Sequence, residues 1–280
     1  MKKIITLLSL VGLLALTACS GKENTGSDKL KAIQAKGVLE VATEPYFAPY
    51  EFIDPSKEGQ DKYLGSDMEM AKYIADDLGV ELKIVPLEFG AVLSGVSQGK
   101  YDLAISALAY TPQRAEAMTL SKAYRLPDND KGYGILIREE NKETIKNASE
   151  LKGKTLVVQS GSIQELLLTE QVKDPAEVKK VSATTDGFLM VEEKKAEACI
   201  VSVAMAELYI NANPDSDLII VDGFKFDQDP SYSGTRIGMP KGEKELEERI
   251  NKIIDELVES GLYMEWTKTA EDQAKSLGIE

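Results

Sequence analysis

Apolar runs of strand length alternate with amphipathic runs of helix length between residues 29 and 280, and this alternation restricts the fold more than any other feature. In the first half, strands are predicted at 38–43, 81–87 and 101–108, with helices at 67–78 and 89–98 between them. Regular alternation of strands and helices predicts an α/β fold with largely parallel sheets.

A second series of the same kind begins near Gly132 and is expected to form a second lobe, because a chain of this length exceeds one small core. Its predicted strands are at 133–138, 155–159, 178–182, 198–201, 218–221 and 235–240, and its predicted helices are at 162–169, 186–195, 204–210 and 243–260. Apolar residues at helical spacing in the last helix are expected to face the core: Leu246, Ile250, Ile253, Ile254 and Leu257. Before the first strand, Ser27 can cap a short helix that ends at Gly37.

The junction between the strand at 101–108 and the next helix carries the first candidate site residue. Thr111 can cap that helix, and Pro112 occupies the first helical position, where a missing N–H group costs nothing. Arg114 follows within the first turn. A guanidinium beside the free N–H groups of a helix suits a small carboxylate, because both sets of donors point to one place. An ordinary surface arginine is the alternative.

The first residues are not expected to belong to the folded core. Two lysines, the apolar run 4–16 and the sequence up to Cys19 resemble a lipoprotein export signal. This resemblance implies cleavage of residues 1–18 and lipidation of Cys19, with 19–28 as a flexible tether. An uncleaved anchor is the alternative. In either case the chain is expected at the outer face of the cytoplasmic membrane.

The charge balance argues against nucleic acid as a partner. Removal of the two leader lysines leaves 31 of the 33 basic side chains against 47 acidic ones, a net charge of −16. Such a chain gains no affinity by neutralising phosphates, and an anionic membrane surface would repel it. Contact with the membrane is therefore expected only through the lipid on Cys19.

The chain contains no histidine. This excludes Ser-His-Asp and Cys-His nucleophiles and every histidine-ligated metal site, and neither a metal nor a cofactor is expected. Cys199 is the one cysteine left after lipidation of Cys19, so no disulfide within the chain is expected. It lies in the apolar run 198–201, which favours a buried and unreactive thiol.

Three sequence patterns together resemble the extracellular solute-binding proteins of polar amino-acid importers, family 3. They are the stretch from Asp102 through Thr111-Pro112-x-Arg114 to Ser121-x-x-Tyr124, the strand and loop at 37–52, and the loop at 159–165. The resemblance extends from Lys36 to the last helix. It implies a two-lobed, periplasmic-binding-protein-like fold of type II, with a ligand cleft between the lobes.

The same resemblance implies a hinge of two strands, because the chain would cross between the lobes near 126–134 and again near 232–238. The first lobe would then consist of residues 29–128 and 235–280, so that the C-terminal helices return to it. The second lobe would consist of residues 129–234.

Within the implied cleft, the family uses the position of Arg114 to grip the α-carboxylate of the ligand. Phe47 and Phe89 match positions that sandwich the side chain of cationic amino acids, and Glu44 matches an acidic position that meets the distal charge. Core packing of both phenylalanines and a solvated loop position for Glu44 are the alternatives. The other residues expected in the ligand site are Phe52, Ser106, Ala107, Ala109, Ser162, Ile163, Gln164 and Ser202.

Departures from the family pattern concern hydroxyl and acidic groups. Ala109 and Ile163 stand where relatives place a hydroxyl. Ser202 falls where relatives keep an aspartate that pairs with the α-ammonium group of the ligand. Another acid can supply this charge, the ligand can differ from a conventional α-amino acid, or the alignment register can be wrong. Three residues near the hinge could supply polar contacts, but their spacing is not specific and they are expected to be exposed: Tyr124, Asp128 and Asp130.

The resemblance implies a substrate-binding lipoprotein of an ABC importer, with a basic or related amino acid as the favoured ligand. It would act as a monomer and deliver the ligand to permease and ATPase subunits in the membrane. Two alternatives use the same fold. One is an exported dehydratase of the cyclohexadienyl type, with Glu44 or Glu51 as acid or base, and the other is a ligand-sensing subunit of a membrane receptor.

Overall fold

The computed structural model describes residues 28–125 and 131–279. Several expectations lie outside these ranges: the export signal, lipidation at Cys19, nearly all of the tether, the cap at Ser27, and Asp128 and Asp130. The first helix has Asp28 as its N-cap residue, where the carboxylate accepts a hydrogen bond from the N–H group of Lys31 at 3.0 Å. The first described residue therefore takes the capping role that Ser27 was expected to fill.

The helices and strands follow the predicted alternation. The first lobe begins with α1 (Lys29–Lys36), β1 (Val38–Thr43), β2 (Phe52–Ile53), β3 (Tyr63–Leu64), α2 (Ser66–Leu78), β4 (Glu81–Pro86), α3 (Phe89–Ser97), β5 (Leu103–Ala109), α4 (Pro112–Ala117) and β6 (Thr119–Leu120). The second lobe contains β7 (Tyr133–Arg138), β8 (Thr155–Gln159), α5 (Ile163–Gln171), β9 (Glu177–Val181), α6 (Thr184–Glu192), β10 (Ala198–Ser202), α7 (Val203–Ala212) and β11 (Leu218–Ile220). The chain then returns to the first lobe with β12 (Thr235–Met239), α8 (Lys244–Ser260) and α9 (Leu262–Ser276). No helix within the described ranges is long and apolar enough to cross a membrane.

Each lobe is built on one five-stranded sheet. In the first sheet the strand order is β4-β1-β5-β12-β6, with β1 parallel to both β4 and β5, and β12 antiparallel to β5. In the second sheet the order is β11-β7-β10-β8-β9, with β8 parallel to both β9 and β10. The two sheets confirm the predicted α/β fold with two lobes.

The packing of α8 confirms its predicted amphipathic pattern. The five apolar residues expected to face inward are at most 1% exposed: Leu246, Ile250, Ile253, Ile254 and Leu257. They belong to the main core of the first lobe, together with residues of β1, α2 and β5. Gly261 adopts a left-handed conformation with φ of 72° between α8 and α9, which ends one helix and reverses the chain into the next.

The strand β5 begins two residues later than predicted, and the side chain of Asp102 explains why. Its carboxylate is fully buried and forms ion pairs with Lys29 at 2.9 Å and Lys36 at 2.7 Å. It also accepts a hydrogen bond from the N–H group of Glu40 at 2.8 Å. Asp102 therefore holds α1 against the start of β5 instead of continuing the strand.

Tyr124 is buried, so the prediction that it is exposed is wrong. Its hydroxyl donates to the carboxylate of Asp67, with distances of 3.0 and 2.9 Å to the two oxygens. The hydroxyl of Tyr263, on α9, donates to the same carboxylate at 2.7 Å. The prediction of exposure failed because the residues that contact Tyr124, Asp67 and Tyr263, are distant from it in the sequence.

The chain leaves the first lobe and returns to it at adjacent positions. Arg125 and Thr235 form an antiparallel bridge, in which the N–H group of Thr235 donates to the carbonyl oxygen of Arg125 at 3.2 Å. The N–H group of Tyr124 donates to the carbonyl oxygen of Thr235 at 3.0 Å. The segments on the first-lobe side of the two crossings are therefore paired, as a two-strand hinge requires.

Gly65 cannot accept a side chain without a shift of the surrounding backbone. Its φ is 125°, and a Cβ atom there would lie 2.1 Å from the carbonyl oxygen of Tyr50. Gly59 also has a positive φ, 63°, but it is exposed and a Cβ atom there would meet nothing within 4 Å. We expect Gly65→Ala to lower the free energy of unfolding by roughly 3 kcal/mol or more, and Gly59→Ala by about 1 kcal/mol. Urea unfolding of both variants measures the difference, and equal losses would contradict this steric explanation.

Candidate functional site

A cavity of about 470 Å³ lies between the two lobes. Residues at the carboxyl ends of β1 and β5 line it from the first lobe, and residues at the carboxyl ends of β8 and β10 line it from the second. Open α/β sheets present ligand sites at these strand ends, because the following loops and helix N-termini meet there. The cavity is called the cleft below.

Arg114 reaches the cleft from the first turn of α4. The predicted cap is confirmed, since the Thr111 hydroxyl accepts a hydrogen bond from the Arg114 N–H group at 3.1 Å and Pro112 is the first helical residue. The guanidinium donates through Nη1 to the Ala109 carbonyl oxygen at 2.8 Å and through Nη2 to the Gly161 carbonyl oxygen at 2.9 Å. Gly161 belongs to the second lobe, so Arg114 links the two lobes.

The charge of Arg114 is buried, and no acid in the part of the chain that the structure describes forms an ion pair with it. The residue is 7% exposed, and burial lowers its pKa to about 10, so it remains a cation at neutral pH. The guanidinium lies 5.3 Å from the centre of the Phe89 ring. Among the described residues, the arginines that form ion pairs are Arg138 and Arg249. Arg114 is therefore the cationic end of the cleft.

The second lobe faces Arg114 with the loop between β8 and α5. Gly161 has a φ of 74°, and Ser162 caps α5, with its hydroxyl accepting a hydrogen bond from the Glu165 N–H group at 3.1 Å. The same hydroxyl donates to the Gln159 carbonyl oxygen at 2.7 Å. The first N–H groups of a helix have no partner within it, so the start of α5 at Ile163 supplies donors to the cleft.

Glu44 forms part of an acidic end of the cleft. It is 4% exposed, so it is not the solvated loop carboxylate that was the alternative. Its N–H group donates to the Ser106 hydroxyl at 3.1 Å. Burial, with a smaller contribution from the charge of Asp186, raises the pKa of the Glu44 carboxyl to about 8, and a hydrogen bond from Gln159 opposes this shift.

Glu51 is a second buried acid that lines the cleft. The Ser106 hydroxyl donates to its Oε1 atom at 3.0 Å, so one serine joins Glu51 to the backbone of Glu44. Sequence reasoning considered Glu51 only as an acid or base of a dehydratase. The signal that could have found it is its position in the same loop as Glu44, seven residues later. Gln159, at the end of β8, was also missed as a cleft residue.

Two of the three phenylalanines expected in the ligand site, Phe47 and Phe89, line the cleft. Phe89 is 9% exposed and packs in an apolar cluster with Val92 and Leu108, while its ring also borders the cleft. Phe47 lines the cleft, stacks on Tyr50 with ring centres 5.5 Å apart, and packs against apolar residues of the second lobe. Core packing and cleft lining, posed as alternatives, thus occur together.

Phe52 does not line the cleft, and its assignment to the ligand site is corrected. The side chain is fully buried and packs with Ala48 and with Ala270 and Ala274 of α9. The C-terminal helix covers the face of β2 that carries Phe52. Its partners come from the far end of the chain, and the local sequence does not reveal them.

The remaining expected residues line the cleft: Ser106, Ala107, Ala109, Ser162, Ile163, Gln164 and Ser202. Ser202 ends β10 and precedes α7, and its side chain makes no capping hydrogen bond. Ala107 has a φ of 46°, rare for a residue with a side chain, and its N–H group donates to Asp67 at 2.8 Å. Cys199 is buried as predicted, and burial raises the pKa of its thiol.

Comparisons with known proteins agree with this geometry. The sequence model of the bacterial extracellular solute-binding proteins, family 3, matches residues 39–269. ArtP of Bacillus subtilis (strain 168), an arginine-binding extracellular protein, is 28% identical over 248 residues, which cover 88% of this chain and 89% of that protein. TcyJ of Escherichia coli (strain K12), an L-cystine-binding protein, is 25% identical over 258 residues, covering 90% of this chain and 91% of that one.

A solved structure gives the same result. The amino acid ABC transporter substrate-binding protein AbpA from Streptococcus pneumoniae, bound to L-arginine, superposes with a TM-score of 0.76 at 30% identity, covering 89% of this chain and 99% of that chain. The family match covers most of the sequence, and the superposition covers both lobes. This chain therefore belongs to the bacterial extracellular solute-binding proteins, family 3.

Proposed function

We propose that this chain is the substrate-binding component of an ABC importer, and that it captures an amino acid with a basic side chain between its two lobes. The observation that carries the proposal is the buried guanidinium of Arg114, which faces the N-terminus of α5 across the cleft and forms no ion pair with an acid among the described residues. The arginine-binding function of ArtP and the bound L-arginine of AbpA support the choice of ligand class.

The cationic end of the cleft suits the α-carboxylate of such a ligand. Two of the five N–H donors of Arg114 are used by the carbonyl oxygens of Ala109 and Gly161. The other donors, together with the start of α5, can bind both oxygens of a carboxylate. Because these donors come from both lobes, a bound carboxylate would stabilise the closed arrangement over an open one.

The other end of the cleft suits a distal cation. Glu44 offers a buried carboxyl, and the ring of Phe47 offers an aromatic face for an ammonium or guanidinium group. The ring of Phe89 lies against the guanidinium of Arg114 instead. A cationic side chain could pair with the carboxylate of Glu44, whereas a neutral side chain could not. We therefore favour a basic side chain over a neutral one.

The cellular setting is part of the same proposal. Lipidation of Cys19 would anchor a monomer at the outer face of the cytoplasmic membrane, with residues 19–28 as the tether. Lobe 1 would comprise 29–128 and 235–280, and lobe 2 would comprise 129–234. The closed form would present both lobes to the permease, and the ATPase would drive transport.

Replacement of Arg114 should abolish ligand binding. We expect Arg114→Ala to weaken binding of L-arginine by roughly 2–5 kcal/mol, because the ligand carboxylate would be desolvated without its bidentate partner. Isothermal titration calorimetry measures the loss. Arg249→Ala, which removes an arginine that pairs with Asp77 outside the cleft, is the control and should bind normally. Unchanged affinity of Arg114→Ala would remove Arg114 from the ligand site.

Replacement of Glu44 should change ligand preference rather than general affinity. We expect Glu44→Gln to weaken L-arginine and L-lysine at least tenfold, with little effect on L-glutamine, because the substitution removes a charge at constant shape. Melting-temperature shifts over a ligand series provide the measurement. Glu88→Gln, outside the cleft, is the control. Equal weakening of neutral and basic ligands would show that Glu44 does not read a distal charge.

A further inference from the structure

A second buried carboxyl lies beside Glu44, and the proposed function does not use it. Glu51 is 1% exposed, yet it lines the cleft. Its Oε1 atom accepts the hydrogen bond from Ser106, whereas its Oε2 atom has no hydrogen-bond partner among the described residues. Such an oxygen is unfavourable in a buried site unless it carries a proton or meets a ligand.

The carboxyls of Asp67 and Glu51 are neighbours, and their hydrogen-bond donors differ in number. Burial raises the pKa of both Asp67 and Glu51. Asp67, however, accepts hydrogen bonds from the hydroxyls of Tyr124 and Tyr263 and from the N–H group of Ala107. Three donors favour its ionised form, whereas Glu51 has one. Glu51 is therefore the member of the pair that holds a proton more readily.

Within residues 28–125 and 131–279, no lysine or arginine forms an ion pair with Glu51, and no cation contributes to the pKa of its carboxyl. Asp67 on α2 and Glu44 at the end of β1 both raise the pKa of the Glu51 carboxyl, after the larger effect of burial, and the Ser106 hydroxyl on β5 opposes them. The tyrosines that complete the cluster, Tyr124 after β6 and Tyr263 on α9, are neutral hydroxyl donors to Asp67. A ligand cation in the cleft could therefore supply the positive charge that the described neighbours of Glu51 do not.

We propose that Glu51 is a second cation-selecting carboxyl of the ligand site, and that entry of a cationic ligand displaces a proton from the Glu44–Glu51 pair. The O–H bond of a protonated carboxyl breaks, the proton passes to the buffer, and the carboxylate that remains pairs with the cation. A neutral ligand leaves the proton in place. The inference rests on the proposed function and defines the ligand class more narrowly. The ligand carries a positive charge, and its binding releases a proton from the cleft.

The chemistry of a basic side chain fits this exchange. A guanidinium offers five N–H donors in a plane and an ammonium offers three, so either group can bond two carboxylates at once. Ser106 already joins the two acids, since its hydroxyl contacts the Glu44 N–H group and the Glu51 Oε1 atom. One hydroxyl therefore joins the backbone of Glu44 to the carboxyl of Glu51 at this end of the cleft.

Calorimetry in several buffers tests the proton exchange. L-Arginine is titrated into the protein at pH 7.5 in buffers of different ionisation enthalpy, and L-citrulline, its uncharged counterpart, is the matched ligand. We expect release of about half a proton to one proton per arginine bound, and almost none for citrulline. Because a proton is released, affinity for arginine should rise from pH 6 to pH 8, while affinity for citrulline should stay flat.

Glu51→Gln tests the role of this residue, because glutamine keeps the shape of the protonated acid but cannot ionise. We expect fewer protons released and at least a tenfold loss of arginine affinity at pH 8, with citrulline affinity changed less than threefold. Glu69→Gln, an exposed site on α2, should change neither quantity. Glu51→Asp retains an ionisable group and should retain proton release. Glu51→Ala, which also cannot ionise, replaces the glutamine variant if that variant fails to fold.

The outcomes separate this inference from the proposed function. Arginine binding with buffer-independent heats would overturn the proton exchange and leave the proposed function intact. Proton release that is the same in Glu51→Gln and in the unmodified protein would remove Glu51 from the exchange. A lower melting temperature with an unchanged ratio of arginine to citrulline affinity would show a purely structural role. Absence of binding for every amino acid would overturn the proposed function and this inference together.

Discussion

The carboxylate of Asp67 is the interaction on which the first lobe and the cleft both depend. It is fully buried on α2, and a charge in that position is tolerable only when hydrogen-bond donors surround it. Tyr124 supplies one donor beside the crossing to the second lobe, Tyr263 supplies another from α9, and the N–H group of Ala107 supplies a third from the cleft strand. One side chain thus connects the segment beside the crossing, the C-terminal helix and the cleft. It also sets the environment of Glu51.

The cleft keeps its opposite charges apart. Arg114 bonds to two carbonyl oxygens and lies over an aromatic ring, while Glu44 and Glu51 share Ser106 at the acidic end. Burial without a paired ion lowers the pKa of Arg114 and raises the pKa of both glutamates. Desolvation of this kind destabilises the fold, and a ligand of complementary charge would recover the loss. Under the proposed function, the unfavourable charges therefore become a source of affinity.

Features encoded by neighbouring residues could be predicted, and features that depend on distant partners could not. The cap at Thr111, Pro112 at the first helical position and Arg114 in the first turn lie within four residues of one another, and the structure has them as expected. The predictions for Phe52 and Tyr124 were wrong because both residues contact α9, at the far end of the chain. The helix α9 covers Phe52, and its Tyr263 packs against the ring of Tyr124. Glu51 resembles any loop glutamate until Ser106 and Asp67 are brought beside it.

The sequence alone determined two properties of this protein. Alternating apolar runs and helix caps predicted an α/β fold, and the absence of histidine excluded histidine-based chemistry. Periodicity and capping act over a few residues, which is why those conclusions needed no coordinates. Only the tertiary structure decided which acids share a buried environment, because desolvation depends on every atom packed around a carboxyl, whatever its place in the chain. The hydrogen bond from Arg114 to Gly161 also depends on the tertiary structure, because 47 residues separate the two and only the approach of the two lobes joins them.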